Sequence, residues 1–359
     1  MNRREFSKLS ALTLAATQMR AQVPSTKPLG FAAVGLGTIS NIFMSACAKS
    51  DKAKIVGLVT GHPAEKGPRY STMYNVPQNS IYTYDTYNKI RDNKAIEAVY
   101  IGLPNSMHME YTVRAAEAGK HVLCEKPMAI SSAEGRKMID ACKHAKVKLM
   151  IAYRIQYEPL FAEMKRRINS GEIGKVQSIE GGFYGNQPLG AWRLDKALAG
   201  GGPLMDLGIY PMNTSRYILG EEPTVTSAVT STPDASDPRF AQVEETIKWT
   251  MKFPNGATAS YGCSYGERGP SAFTFVGDKG TLTMQPAFNY SGAHLRGQTS
   301  AGPVDEPSTG QQPYQFVLEA DHFADCVRNN KEPRTPGEEG LKDMLLMESI
   351  YKAAGHSIA

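Results

Sequence analysis

From Leu29 onward, short runs that are almost wholly apolar alternate with stretches in which apolar residues recur every three or four positions. The apolar runs at 30–35, 54–60, 98–103, 120–124 and 148–153 predict strands covered on both faces. The helical period predicts helices over 40–50, 107–118 and 132–143. Strand and helix alternating in this way predict parallel βαβ units in one doubly wound sheet. After residue 153 the rhythm changes. One further helix is expected over 159–170, followed by strands with every second residue apolar at 176–183, 224–231, 244–253, 257–265, 271–277 and 280–284. The turns Pro254-Asn255-Gly256 and Asp278-Lys279-Gly280 have hairpin chemistry, so this second sheet is expected to be mostly antiparallel, with one face open to solvent or a partner. Residues 298–312 read as a loose polar loop. Amphipathic helices at 314–329 and 338–354, separated by Pro333 and Pro336, close the chain.

With 359 residues the chain is long enough for two cores. The expected class is α/β: a doubly wound parallel sheet of the Rossmann type over 27–152, then an α+β unit with a large, mostly antiparallel sheet over 153–359. Hydrophobic residues at 41% and charged residues at 21% describe an ordinary globular protein. Of the formal charge of +5, three units belong to residues 1–22, where Arg3, Arg4, Lys8 and Arg20 face Glu5 alone. The remainder is near neutral and its cations are scattered, which leaves no electrostatic footprint for nucleic acid or a membrane surface. Residues 1–22, with Arg3-Arg4-Glu5-Phe6 before a short apolar run, resemble a twin-arginine export signal cleaved near Ala21 and point to the periplasm. A disordered basic tail is the other reading. Cys47, Cys124, Cys142, Cys263 and Cys326 are odd in number and widely spaced, so buried thiols are expected rather than a disulfide framework or a metal site.

The first strand runs into Gly35-Leu36-Gly37-Thr38-Ile39-Ser40 and then a helix. This places two glycines where backbone must approach a pyrophosphate, and helix amides behind them. Ser40 stands where the dinucleotide fingerprint has Gly or Ala. At the end of the second strand, where NAD-binding chains carry a carboxylate for the adenosine ribose, this chain has Thr60, Gly61 and His62, with Lys66 beyond. Hydroxyl and ammonium donors there suit a 2′-phosphate, so NADP is expected over NAD. Lys66 and Arg69 also fit as solvated helix residues.

Cys124-Glu125-Lys126-Pro127 follows a strand of the first sheet and so sits at its carboxyl end. Far along the chain, Gly200-Gly201-Gly202-Pro203-Leu204-Met205-Asp206-Leu207-Gly208-Ile209-Tyr210 puts a carboxylate and a phenol four residues apart, on one face of a helix. Taken singly, Lys126 fits a surface lysine, Asp206 a helix cap and Tyr210 a core aromatic. As chemistry they cohere: oxidising an alcohol needs a base, and a neighbouring ammonium makes a phenol a better one.

These words resemble the Gfo/Idh/MocA oxidoreductases over nearly the whole chain. Leu103-Pro104-Asn105-Ser106, Gly119-Lys120-His121-Val122, Gly220-Glu221-Glu222-Pro223 and Pro336-Gly337-Glu338-Glu339-Gly340 are similar to the exported glucose-fructose oxidoreductase branch, and Tyr210 stands where many relatives carry His. The resemblance implies a reaction centre of Lys126, Asp206 and Tyr210. It also implies a cofactor site of Gly35, Gly37, Thr38, Ile39, Thr60, Gly61, Lys66, Tyr82, Leu103, Pro104, Asn105, His108, Glu125, Lys126, Arg154, Trp192 and Arg193. Sugar contacts are expected from Arg154, Tyr157, Trp192 and Arg193 at the junction, although Trp192 also fits an interface and Arg193 a pairing with Asp195. Gln156, where similar enzymes tend to carry His, is expected to alter sugar preference. The implied function is a ping-pong sugar oxidoreductase with tightly held NADP, a homodimer or homotetramer through the second sheet. The alternatives are an exported glycosidase or epimerase using transient oxidation, and a noncatalytic sugar-binding module.

Overall fold

The computed structural model describes residues 27–309 and 314–356, and the export segment read at 1–22 lies outside them. β1 (Leu29–Val34) passes through Gly35 into α1 (Thr38–Cys47), and β2 (Ala53–Val59) pairs parallel with β1. α2 (Pro63–Tyr74), β3 (Ile81–Tyr82), β4 (Ala98–Ile101), α3 (His108–Glu117), β5 (His121–Glu125), α4 (Ser132–His144) and β6 (Leu149–Ala152) complete a sheet ordered β3-β2-β1-β4-β5-β6. Strand order reverses between β1 and β4, which opens a crevice beyond their carboxyl ends. α2 escaped the sequence reading for a physical reason. It contains Pro68, and of its buried residues, Gly67, Tyr70 and Ser71, Tyr70 alone is large, so no apolar stripe marks it.

α5 (Pro159–Asn169) leads to the second sheet, built from β7 (Val176–Tyr184), β8 (Thr224–Ser231), β9 (Thr246–Lys252), β10 (Thr258–Ser264), β11 (Ala272–Gly277), β12 (Thr281–Met284), β13 (His294–Thr299) and β14 (Gly302–Pro307). Its order is β14-β13-β12-β11-β7-β10-β9-β8, with β7 and β10 parallel and the other neighbours antiparallel. Between β7 and β8 the chain forms α6 (Lys196–Ala199) and α7 (Ile209–Leu219). The expectation of a loose loop over 298–312 is corrected by the β13–β14 hairpin. β14 is an edge strand that buries only Val304, and so it lacks the alternation that marks an inner strand.

The closing helices, α8 (Tyr314–Arg328) and α9 (Gly337–Ala353), return to the first half. Phe323 of α8 lies 6.0 Å from Phe31 of β1, and Phe43 of α1 stacks on Tyr100 of β4 at 3.8 Å. On the opposite face, one continuous apolar core runs from the first sheet into the second, from Val34 and Ile101 through Met205 to Phe273. That shared core fixes the two sheets relative to each other and therefore sets the crevice between them. All five cysteines are buried and unpaired.

Candidate active site

Gly35 has φ +81, and a Cβ there would lie 2.7 Å from the Gly102 carbonyl oxygen, so the turn after β1 demands glycine. A Cβ on Gly37 would meet nothing within 4 Å: this glycine faces open space at the start of α1. The first turn of α1 has neither a side-chain cap nor an acidic residue. Free amides at a helix start, with no carboxylate to repel an anion, fit a pyrophosphate. The Ser40 departure is explained at its neighbour. A Cβ on Gly102 would lie 2.3 Å from Ser40 Oγ, so the close approach of helix to strand is made possible by Gly102 instead.

At the end of β2, Thr60 Oγ1 accepts from the His62 N–H at 3.1 Å, and Lys66 is half-buried in the first turn of α2. Tyr82 stands beside the end of β2, where its carbonyl accepts from the Thr60 N–H at 3.0 Å, but its ring is buried and its hydroxyl accepts from Asn93 Nδ2 at 3.1 Å. Tyr84, two residues on, is the aromatic that faces Gly61, 3.0 Å from where a Cβ would stand. Past β4, Pro104 opens a 3₁₀ turn, Asn105 donates to the Ala199 carbonyl at 2.8 Å, and both His108 ring nitrogens lie 2.9 Å from carbonyls, of Pro127 and Leu103. These contacts set the shape of the loop and brace it against α6.

A cleft of about 460 Å³ opens where the two halves meet, lined by Ile39, Leu103, Asn105, His108, Glu125, Lys126, Arg154, Trp192, Arg193, Asp206 and Tyr210. Lys126 extends from the end of β5 and donates from Nζ to the Asp206 carbonyl and to Asp206 Oδ1, both at 2.9 Å. Asp206 lies in a π-helical turn, Leu204–Gly208, that runs into α7. The wider turn leaves a backbone carbonyl free for an outside donor, a recurrent device at functional sites. Arg193 Nε donates to Asp206 Oδ2 at 2.7 Å. Burial alone would raise the Asp206 pKa, but Lys126 and Arg193 outweigh it and hold the carboxyl well below its usual range. Burial would likewise lower Lys126, but Asp206, with Tyr210 and Glu125, outweighs it and keeps the ammonium charged.

Lys126 Nζ sits 4.5 Å above the Tyr210 ring, whereas the phenol oxygen accepts from Arg154 Nε at 3.0 Å. The direct hydrogen-bond donor to the hydroxyl is therefore Arg154, while Lys126, over the ring and bonded to the carboxylate, acts on the phenol by charge alone. Tyr157 is also corrected as a sugar contact, since it is buried in the core beneath α8 with its ring against His322 and Arg334. Gln156 is 4% exposed and donates to Asn213 Oδ1, outside the cleft, so it cannot touch a sugar. Asp195 caps α6 through the Ala197 N–H, so the pairing with Arg193 that sequence allowed is not made.

Sequence reasoning missed the cleft's far wall, formed by Phe183, Phe288, Asn289, Tyr290 and Ser291. Phe183 and Phe288 pack their rings against Tyr210, with centroids at 5.3 and 5.6 Å. Residues 285–293 follow β12 as a Pro- and Gly-containing turn, and no local signal says which site such a turn reaches.

Behind the π turn, the Gly202 N–H donates to Tyr351 Oη at 3.0 Å and that hydroxyl donates to Glu244 Oε1 at 2.8 Å. Burial pushes the Glu244 carboxyl up to about 7 against the lowering effect of Tyr351. The folded state therefore holds this proton more tightly than the unfolded chain does. Stability from that source is complete below the ordinary carboxyl range and is lost as pH rises through about 7, a swing of roughly 3 kcal/mol. Glu244→Gln removes the swing, so the variant's Tm relative to wild type should rise between about pH 5 and pH 8.5. A difference that does not change with pH would refute this account of Glu244.

Residues 29–153 match the family described as "Oxidoreductase family, NAD-binding Rossmann fold", and residues 161–283 match "GFO/IDH/MocA C-terminal domain". The chain is 31% identical over 342 residues to a D-xylose 1-dehydrogenase [NADP(+)] of Haloarcula marismortui, covering 93% of each protein. It is 31% identical to a levoglucosan dehydrogenase of Pseudarthrobacter phenanthrenivorans, over 75% of this chain and 80% of that one. Among solved structures, the aldose-aldose oxidoreductase of Caulobacter crescentus, complexed with glycerol, superposes with a TM-score of 0.87 at 40% identity, over 91% of this chain and 98% of that one.

Proposed function

The chain belongs to the GFO/IDH/MocA family of oxidoreductases, and from that premise we propose that it is an exported sugar oxidoreductase that holds NADP through a ping-pong cycle. An aldose is oxidised at its anomeric carbon to a lactone, and a second sugar is reduced to an alditol. The observation that carries this reading is the meeting of Lys126, Asp206 and Tyr210 in a cleft that Phe183, Trp192 and Tyr290 also line. Part-exposed Trp192, with Arg193 over one side of its ring, offers an apolar surface that suits a pyranose ring, and Asp206 is paired with both Lys126 and Arg193. When bound, the nicotinamide supplies the acceptor and donor of hydride. The chain's own groups manage the proton. Tyr210 takes it from the sugar hydroxyl and returns it to the acceptor sugar. Lys126, with two N–H groups committed to Asp206, has a third for the reacting oxygen. Asp206 keeps that ammonium charged and in place. A relative that acts on two aldoses and a relative that uses NADP support the reading.

Export supports cofactor retention, because free nicotinamide cofactor is scarce outside the cytoplasm. The test is NADP kept through gel filtration, with lactone and polyol formed in equal amounts from two sugars without added cofactor. Turnover that requires continuous NADP would reduce the reading to a simple dehydrogenase. Cleavage of aryl glycosides would favour the transient-oxidation alternative.

Cofactor choice rests on the absence of a carboxylate at the end of β2 and on the position of Lys66. A charge-assisted bond to phosphate is worth roughly 1.5–3 kcal/mol, so NADP should bind about tenfold or more tighter than NAD. Lys66→Ala should remove most of that preference and leave the Kd for NAD unchanged. NAD binding as tight as NADP in the wild type ends the claim. A second copy is proposed to cover the open face of the second sheet, where Tyr184, Lys248, Ser260 and Thr274 line a broad depression.

A further inference from the structure

The residue that addresses the Tyr210 hydroxyl comes from neither motif that marks the reaction centre. Arg154 follows β6 and is 4% exposed. Its Nε donates to Tyr210 Oη at 3.0 Å, Nη1 donates to Gln315 Oε1 at 2.9 Å and to the Asn289 carbonyl at 3.4 Å, and Nη2 donates to the Phe288 carbonyl. The guanidinium carbon lies 4.7 Å from the centre of the Tyr210 ring and 4.6 Å from that of Tyr290, so it is held between two aromatic faces. Every nitrogen of the fork is engaged by the protein. Arg154 is therefore poorly placed to anchor a sugar or a dinucleotide, the two roles that the sequence resemblance implied for it.

We propose that Arg154 is a positioning residue that sets the direction in which Tyr210 gives and takes its proton, and that segment 288–290 and Gln315 are the frame that aims it. This rests on the reading of Tyr210 as the acid and base of sugar oxidation. Guanidinium donates only and stays charged in proteins, so Tyr210 Oη must accept at that contact. One lone pair is thereby occupied from the protein side, and the phenol's own hydrogen is left to point elsewhere. With Phe183 and Phe288 packed against the ring, the direction left open is the cleft. When the hydroxyl gives up its hydrogen, the same fixed charge faces the resulting oxyanion without rearrangement. Lys126 cannot take this part, because two of its bonds go to Asp206 and it lies over the ring face.

The test uses the full chain with Arg154→Gln, Gln315→Ala and Tyr210→Phe, and two readouts. In protein carrying ¹³Cζ-tyrosine, the Tyr210 resonance, assigned by its loss in Tyr210→Phe, should move in Arg154→Gln without sugar or cofactor. A resonance that stays put overturns the proposal, whatever the enzyme's activity. In single-turnover reduction of bound cofactor by an aldose, Arg154→Gln should slow the rate at saturating sugar about 10²-fold, with sugar half-saturation and NADP Kd changed less than about threefold. In the Tyr210→Phe background the same change should cost less than about threefold, because the oxygen it acts through is gone. A weakened NADP Kd or raised half-saturation at unchanged rate would make Arg154 an anchor and overturn the proposal, and so would full additivity with Tyr210→Phe. If Arg154→Gln does not fold, Gln315→Ala should show the same resonance shift and a several-fold slower rate at unchanged half-saturation. Failure of the wild type to reduce its cofactor with any aldose counts against the proposed function, and the resonance still decides the role of Arg154.

Discussion

Lys126→Met is expected to lower sugar oxidation by at least about 10³-fold while leaving the protein folded and its cofactor bound. Methionine replaces the lysine stem with a side chain of similar length, so packing between the end of β5 and the π turn should survive. What is lost is the charge. The ammonium gives two bonds to Asp206 and faces the Tyr210 ring, and its side chain is only 10% exposed, so water cannot replace it well. Asp206 would keep Arg193 alone, and a buried carboxylate stripped of one of its two cations is held charged less firmly. The damage is therefore double: the reacting oxygen loses its donor and the carboxylate loses its partner. Stopped-flow absorbance of bound nicotinamide after mixing with an aldose measures the rate, and the cofactor content of the denatured protein checks retention. A variant within about tenfold of wild type would remove Lys126 from the reaction.

Tyr210→Phe should cost about 10²- to 10⁴-fold in the same assay, with little change in stability. Phenylalanine preserves the ring contacts with Phe183 and Phe288 and the platform beneath Lys126 and Arg154. The loss is confined to one oxygen, which separates proton transfer from packing. Arg154 then lacks an acceptor for Nε, a local penalty of about 1–3 kcal/mol that a water in the cleft can offset. Unchanged turnover would assign the proton to another group and, with it, withdraw the role given to Arg154.

Much of the fold was legible along the chain because its signals are local. Apolar runs and helical periods placed β1, β2, β4, β5, β6 and most strands of the second sheet within a few residues, and the glycine turn after β1 announced itself. The misses share one feature: their determinants lie outside the segment. α2 lacks a stripe because Tyr70 is the one large side chain it buries. The β13–β14 hairpin reads as loop because it ends at an edge. Between Tyr82 and Tyr84 the sequence offers no choice, and the packing around Asn93 and Gly61 makes it. Ser40, a departure from the dinucleotide fingerprint, is tolerated because Gly102 on the adjoining strand is small.

The same division runs through the site. The kinds of chemistry present, an ammonium after a strand and a carboxylate and phenol one turn apart, were determined by the chain itself, since short words and local geometry suffice for them. Who partners whom was decided only by the tertiary structure. Lys126 meets Asp206 across 80 positions, and Arg154 links Tyr210 to Gln315, 161 positions from itself, through a turn that no periodicity points toward. Period and propensity act over a turn or two of backbone. The direction of a hydrogen bond between distant side chains is set instead by how two sheets share one core.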